Sequence, residues 1–393
     1  MKLGSIIKSV AKIVEIDAAQ KGFDNDHLAL GEGGSGARAY SEAIRLYLSF
    51  VADKVADYNS AVCSWNAVGQ KMRNTFGLTG MSMAWDFAEA NPFSGASGSF
   101  DNMLDWVVRS VATLPSDGYG IAQQFDAQAD CGLREVMVST DPPYYSNVPY
   151  ADFSDFFYSW LRRNVGDIYP NLFSTMLTPK AEELVADPYR LGGKEKAATF
   201  FEQGMLSACK MIYKYARDDI PVTIYYAFKE SDSKAGDDDQ IASTGWETML
   251  SAIVHAGFSI TGTWPVRTEM SSRTRGMNSN ALASSIVLVC RKRAEDAPQT
   301  TRRNLINILR RELRPALKKL QDSNIAPVDL AQSAIGPGMS VFSRFKQVLE
   351  ADGTPMPVRS ALKIINEEID LYFNEQVGDM DSASRFCVDL YTQ

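Results

Sequence analysis

Apolar residues recur at helical spacing from Ala37 to Val62, where Ile44, Leu46, Tyr47, Leu48, Val51 and Val55 are interleaved with the polar Glu42, Arg45, Asp53 and Lys54. That period predicts an amphipathic helix with an apolar stripe and an opposite polar face. Asp101–Leu114 reads as a second helix, and residues 1–115 as mostly helical, interrupted by a loop at Asn91-Pro92, Gly95 and Gly98. The pattern then changes. Tyr119–Phe125, Glu135–Ser139, Val222–Phe228, Phe258–Val266 and Ser285–Cys290 are short apolar runs of strand length. Lys196–Arg217 and Thr244–Ala256 are helical stretches that lead into the strands after them. Short apolar strands separated by helices predict an α/β sheet buried on both faces. The last two strands are joined by TEMSSRTRGMNSNAL, which reads as a long hairpin loop and makes the end of the sheet antiparallel.

The resulting organisation is a helical region over 1–115, a sheet-containing core over 116–296 with a helical insert at 164–196, and a helical region over 297–393. The insert reads as a target-recognition element or a plain helical elaboration. Within the last region Thr301–Leu320 carries Arg302, Arg303, Arg310, Arg311, Arg314, Lys318 and Lys319 against the single acid Glu312. Such a helix tracks a nucleic acid, docks a partner or is a solvated face.

Composition narrows the chemistry. The five cysteines are scattered with no C-x-x-C pair, and His27 and His255 are the only histidines. No disulfide framework or zinc site is expected, no metal is expected, and a Ser-His-Asp triad is hard to build. No apolar run reaches the roughly 18–20 residues a bilayer requires, so the chain reads as cytoplasmic, with no membrane partner. A formal net charge of -8 argues against non-specific nucleic-acid binding, so any such contact needs a local basic patch. Arg267, Arg273 and Arg275, in or beside the hairpin loop, are the candidates for phosphate contacts.

The strongest chemical signal is Asp141-Pro142-Pro143-Tyr144, directly after a predicted strand and followed by Tyr145, Asn147 and Tyr150. An exocyclic aromatic amine is a poor nucleophile because its lone pair is delocalised into the ring. A carboxylate at Asp141 and the carbonyl of Pro142 can accept its N–H groups and direct the lone pair outward. Pro142 and Pro143 stiffen the loop, and Tyr144 offers a face on which an extruded base can stack. Tyr145, Asn147 and Tyr150 are candidates for the rest of the base pocket. A sulfonium methyl donor needs no covalent enzyme intermediate, so such a site works by positioning and electrostatics.

The run STDPPYYSNVPYADFSDFFYSWLRR (Ser139–Arg163) resembles the long adenine-specific DNA methylases of bacteria and archaea. Gly31–Trp65, Met83–Ser94 and Asn280–Arg293 are similar to the same family, in the same order. The resemblance implies a Rossmann-like class I methyltransferase sheet lacking its first two strands, with helical N- and C-terminal additions. It also implies S-adenosylmethionine as cofactor and DNA as substrate, with adenine N6 as target. Asp126, at the end of the strand before the catalytic one, is then expected on the cofactor side together with Asp141.

The family's glycine-rich cofactor loop and ribose-binding acid lie upstream of the matching segments. A second protein subunit is therefore expected to supply them. The alternative is a non-catalytic DNA-recognition or scaffold subunit. Gly31-Glu32-Gly33-Gly34-Ser35-Gly36 matches G-x-G-x-x-G literally, but it lacks a convincing strand before it and a strand ending in an acid after it. It reads foremost as a helix-capping loop. Asp152 or Ser154 is expected to cap the helix whose aromatic residues Phe153, Phe156, Phe157 and Trp160 recur at helical spacing.

Overall fold

The computed structural model describes residues 2–77, 85–115, 118, 120–145, 148–226, 237–267, 284–322 and 327–377, with mixed α/β architecture. The chain forms two compact units. One comprises 1–124 and 148–183, the other 125–147 and 184–393.

The first unit contains α1 (Lys2–Gln20), α2 (Ala37–Asp57), the short hairpin of β1 (Trp65–Asn66) and β2 (Lys71–Met72), α3 (Phe100–Ala112) and α4 (Tyr150–Val165). Helix α2 is the hub and packs against α1, α3 and α4. Ser99 caps α3 by accepting the Asn102 N–H at 3.3 Å, and Asp101 and Arg109 complement the two ends of its dipole. Val51 of α2 then packs on Met103 and Val107 of α3. The aromatic stripe of α4 is packing rather than display, since Phe76 meets Phe153, Phe156 and Phe157 at ring separations of 5.8, 5.5 and 5.3 Å. Neither Asp152 nor Ser154 caps α4. The helix starts after Pro149, and the distant Glu183 carboxylate accepts the Ala151 N–H at 2.8 Å. Residues 166–183, expected as helical insert, run as turns and coil. Asp155 organises part of this stretch by accepting from Thr178 N and Lys180 Nζ at 2.8 and 2.7 Å.

The second unit contains β3 (Ser139–Thr140), α5 (Pro188–Leu191), α6 (Lys194–Tyr215), β4 (Val222–Tyr226), α7 (Asp237–His255), β5 (Phe258–Arg267) and β6 (Ser284–Lys292). It continues with β7 (Gln299–Thr301), α8 (Arg302–Asp322), α9 (Pro327–Ser343), β8 (Gln347–Leu349) and α10 (Val358–Val377). The four-stranded sheet has the order β3-β4-β6-β5, with β3 and β4 parallel and the other pairings antiparallel; β7 and β8 form a separate parallel pair. The expected strand at Tyr119–Phe125 is not formed. Tyr119 lies outside the described residues, and 120–126 makes no ladder, with Ile121 and Phe125 exposed.

One face of the sheet is buried throughout and the other only in part, at Ser285 and Val287. Ile224, Tyr226, Ile286, Leu288 and Cys290 join the helical core, where the i, i+4 leucines 305, 309, 313 and 317 of α8 are also buried. The register puts Met137, Tyr225, Trp264 and Val266 on the opposite face, where Met137 is 70% and Trp264 66% exposed. The sheet edges also differ. Helix α9 closes the β5 edge, where Ser343 Oγ accepts the Ile260 N–H at 2.8 Å and the Ser333 carbonyl accepts from Thr263 Oγ1. Gly336 permits the approach, since a Cβ there would fall 1.8 Å from Thr263 Oγ1. At the other edge β3 pairs only with β4 among the described residues. No described helix is long and apolar enough to cross a membrane.

The polar residues of α2 do not all face water. Arg45, Ser49, Asp53 and Asp57 form one line at four-residue spacing, and the first three are buried. Arg45 makes a two-pronged pair with Asp167, and Asp57 accepts from Asn74 Nδ2 at 3.0 Å. Asp53 Oδ1 has no partner, and burial pushes the Asp53 carboxyl up to about 7. The native state therefore holds a proton that the unfolded chain releases at lower pH. Stability conferred by the neutral form is complete below the ordinary carboxylate range and is lost as pH rises through about 7. Asp53→Asn is expected to stabilise the first unit by up to about 4 kcal/mol near pH 8, with little effect near pH 4. Urea unfolding of both proteins at the two pH values measures this.

Candidate functional site

The site is built outward from β3. Backbone bonds from Val136 N to the Tyr215 carbonyl (3.0 Å), from Arg217 N to the Val136 carbonyl (3.1 Å) and from Thr223 N to the Val138 carbonyl (3.1 Å) fix this segment along the end of α6 and the start of β4. The chain leaves the sheet at Thr140, and Asp141 is exposed immediately beyond it. Pro142 and Pro143 restrict the next turn to a fixed φ and remove two amide donors. Tyr144 Oη donates to Asp141 Oδ1 at 2.8 Å.

Beneath the carboxylate lies an aromatic base. The Tyr144 ring stands edge-on to Tyr226 of β4 at 5.2 Å and 86°, and Tyr226 in turn lies 5.6 Å from Trp246 of α7. Tyr145 packs edge-on against Phe201 of α6 at 5.1 Å, while its carbonyl accepts the Ala186 N–H at 2.9 Å. Gly245 allows this closeness, because a Cβ there would sit 3.1 Å from Tyr145 Cβ and 3.3 Å from Tyr226 Oη. Burial, with Tyr144 adding to it, pushes the Tyr226 phenol well above its ordinary range, so it is neutral at physiological pH. Burial and the Glu202 charge likewise raise Tyr145. An exposed carboxylate is thus mounted on a rigid, uncharged apolar floor. Phe201, Tyr226, Gly245 and Trp246 do not stand out in the sequence as site residues. The alternation in VTIYYAF does place Tyr226 on the same face as Val222 and Ile224.

The other candidates scatter. Asn147, Arg273 and Arg275 lie outside the described residues, as does the Arg267 side chain at the end of β5. Tyr150 opens α4 in the other unit and is exposed. Asp126 is exposed in a local turn, where its Oδ1 accepts the Gln128 N–H at 2.9 Å. The arginines of α8 are largely spent on neighbours. Arg302 pairs with Glu350, Arg310 with Glu368, Arg311 with Glu312 and Arg314 with Glu375.

The glycine-rich segment 31–36 is a cap. Gly36 is the N-cap of α2, and Asp26 Oδ2 accepts the Ser35 and Gly36 N–H groups at 3.0 and 3.2 Å. A cofactor phosphate would need those same amides. Gly36 has no room for a side chain, as a Cβ would meet the Asp24 carbonyl at 2.3 Å. The amide bonds, led by that from Ser35, hold the Asp26 carboxyl below its usual range. The stability it confers is present above the ordinary carboxylate pKa and is lost as pH falls through the lowered value. Asp26→Ala is therefore expected to lower the thermal midpoint at neutral pH and to flatten its decline on acidification. Thermal unfolding followed by circular dichroism reads both effects, and an unchanged midpoint would remove the capping role. No protein family, curated protein or solved structure matches this chain.

Proposed function

We propose that this chain is the amine-holding part of an S-adenosylmethionine-dependent methyltransferase acting on an exocyclic base amine of DNA, adenine N6 foremost. A second polypeptide supplies the glycine-rich cofactor loop. The observation that carries the reading is the Asp141 carboxylate, held at the end of a parallel strand by two prolines and hydrogen-bonded to a tyrosine seated on buried aromatics. Open α/β sheets take their ligands at the carboxyl ends of parallel strands. The strand order β3-β4-β6-β5, closing in an antiparallel pair, supports the Rossmann-like reading of the sheet. Among the described residues β3 has no partner on its second side, which supports a further neighbour there, because such a strand edge is a ready template for pairing.

Under this reading Asp141 and the Pro142 carbonyl accept the two N–H bonds of the target amine, which draws its lone pair out of the ring. Asp141 Oδ1 is shared with the Tyr144 hydroxyl, while Oδ2 has no partner among the described residues. Tyr226 packs edge-on against the Tyr144 ring, the ring on which the base would stack under this reading. S-adenosylmethionine brings an electrophilic methyl when bound. Its cradle does not fit the residues at hand, since the amides at 35 and 36 are taken by Asp26 and Asp126 sits in an exposed turn.

Calorimetry with the lone chain is expected to show weak S-adenosylmethionine binding or none, and tight binding overturns the two-polypeptide reading. With the partner present, Asp141→Ala is expected to reduce methylation of adenine-rich DNA by about 100-fold or more, the scale for losing one preorganised polar group. Equal activity in that variant removes Asp141 from the chemistry.

A further inference from the structure

Strand β3 is engaged on one side. Val136 and Val138 turn their backbone groups toward the end of α6 and toward β4, so strand alternation turns the N–H and C=O groups of Met137 and Ser139 outward. Among the described residues no strand meets them. Extended backbone is what presents donors and acceptors at the spacing of such an edge, and the edge is therefore a template for one more strand.

The face of the sheet beside that edge is apolar. The register places Tyr225 of β4, Val287 of β6 and Trp264 of β5 in one lateral row, and Met137 stands on the same face. Met137, Tyr225 and Trp264 are exposed. Strands apolar on both faces are those of a sheet covered by helices on both faces. The row from Tyr225 to Trp264 spans two strand spacings, roughly 10 Å, about the width of one helix. Topology restricts which helix can lie there. β3 and β4 are parallel and joined through α6, whose Phe201 shares the core with Ile224 and Tyr226. Crossovers between parallel strands are right-handed, so a step from β3 in the opposite lateral direction lays its helix on the opposite face. That is the face of Met137 and Tyr225.

We infer that the second polypeptide docks here as a β–α unit, its strand parallel to β3 along Met137 and Ser139 and its helical layer over Tyr225 and Trp264. The inference rests on the two-polypeptide part of the methyltransferase reading and adds the surface that the partner occupies. A second copy of this chain meets only half of the demand. Two β3 edges paired about a two-fold axis leave both apolar faces on one side of the joined sheet, and two faces stacked together leave both edges open. The added strand also makes the end of β3 a topological switch point, where open α/β sheets bind their ligands, and Asp141 follows β3 directly.

The full chain carrying the photocrosslinker p-benzoylphenylalanine at Met137, at Tyr225 or at Tyr189, the last exposed on α5, tests this in cells of the source organism. Irradiation is expected to join the first two positions to one and the same other protein, and the third to none of it. In the complex purified with that protein, hydrogen exchange of the Met137 and Ser139 amides is expected to slow by about 100-fold relative to the lone chain. Ser139→Pro removes one outward N–H and leaves the groups that bond β4 in place, and it is expected to weaken the complex at least about tenfold, whereas Ser139→Ala is not. Tyr225→Glu, at an exposed position, is expected to weaken it as well, which keeps the test decisive if the proline variant fails to fold. Crosslinks from either of the first two positions to a second copy, to DNA or to nothing overturn the inference. So does a partner that leaves the two amides exchanging at their free rate. A partner that protects them and supports no S-adenosylmethionine-dependent methylation leaves the docking surface standing and removes the methyltransferase reading. Methylation with a partner that leaves them unprotected does the reverse.

Discussion

A sheet edge is a row of amide donors and carbonyl acceptors, and the second unit treats its two edges in opposite ways. At β5 the row is ended by helix α9, which brings Ser343 Oγ to the Ile260 N–H and pushes Gly336 against Thr263. At β3 the groups that face β4 are satisfied through Val136 and Val138, and the alternation of a strand turns those of Met137 and Ser139 the other way. The same side of the molecule carries the exposed face of the sheet, with Met137 and Trp264 uncovered. Among the described residues the β3 edge lacks a partner and Met137 beside it is exposed, so one added strand at this edge would address both.

That asymmetry bears directly on Asp141. Its position depends on β3, and among the described residues β3 is held by β4 alone, through a short ladder. The aromatic base compensates. Tyr144 on Tyr226, Tyr226 on Trp246 and Tyr145 on Phe201 tie the loop after β3 to β4, α7 and α6. These contacts lie on the buried face of the sheet, so the carboxylate is fixed from the side that is complete. On its other side β3 has no neighbour among the described residues.

Much of this was legible in the sequence, for identifiable reasons. The α6–β4–α7–β5–β6 succession follows from apolar runs whose length and period are set by burial on at least one face; α6, β4, β5 and β6 appear close to their predicted spans, and α7, read from Thr244, starts at Asp237. The proline-stiffened exit from β3 at Asp141 was legible because prolines restrict the backbone locally. Tyr119–Phe125 failed because apolar composition does not make a strand where no ladder receives it. Arg45 and Asp53 were read as solvent-facing because periodicity sees polarity and not partners. Arg45 is buried against Asp167, more than a hundred residues away, and Asp53 is buried with one oxygen unsatisfied. The clamp of Asp26 on the amides at 35 and 36 is equally invisible to a motif, which counts glycines and not the acid that fills them.

Charge decides how such a chain could meet DNA. With a net charge of -8 it has no long-range attraction for a polyanion. The basic helix α8, the natural candidate to supply a local one, has Arg302, Arg310, Arg311 and Arg314 paired with Glu350, Glu368, Glu312 and Glu375. Exposed pairs of this kind contribute little stability, but each neutralises a cation that phosphate contact would need. Counterion release, the usual source of affinity for a duplex, is then small from this surface. Under the methyltransferase reading the division of labour follows. Duplex affinity belongs to the partner or to the hairpin arginines, and this chain contributes the short-range grip on one extruded base, where a single well-placed carboxylate outweighs any number of surface charges.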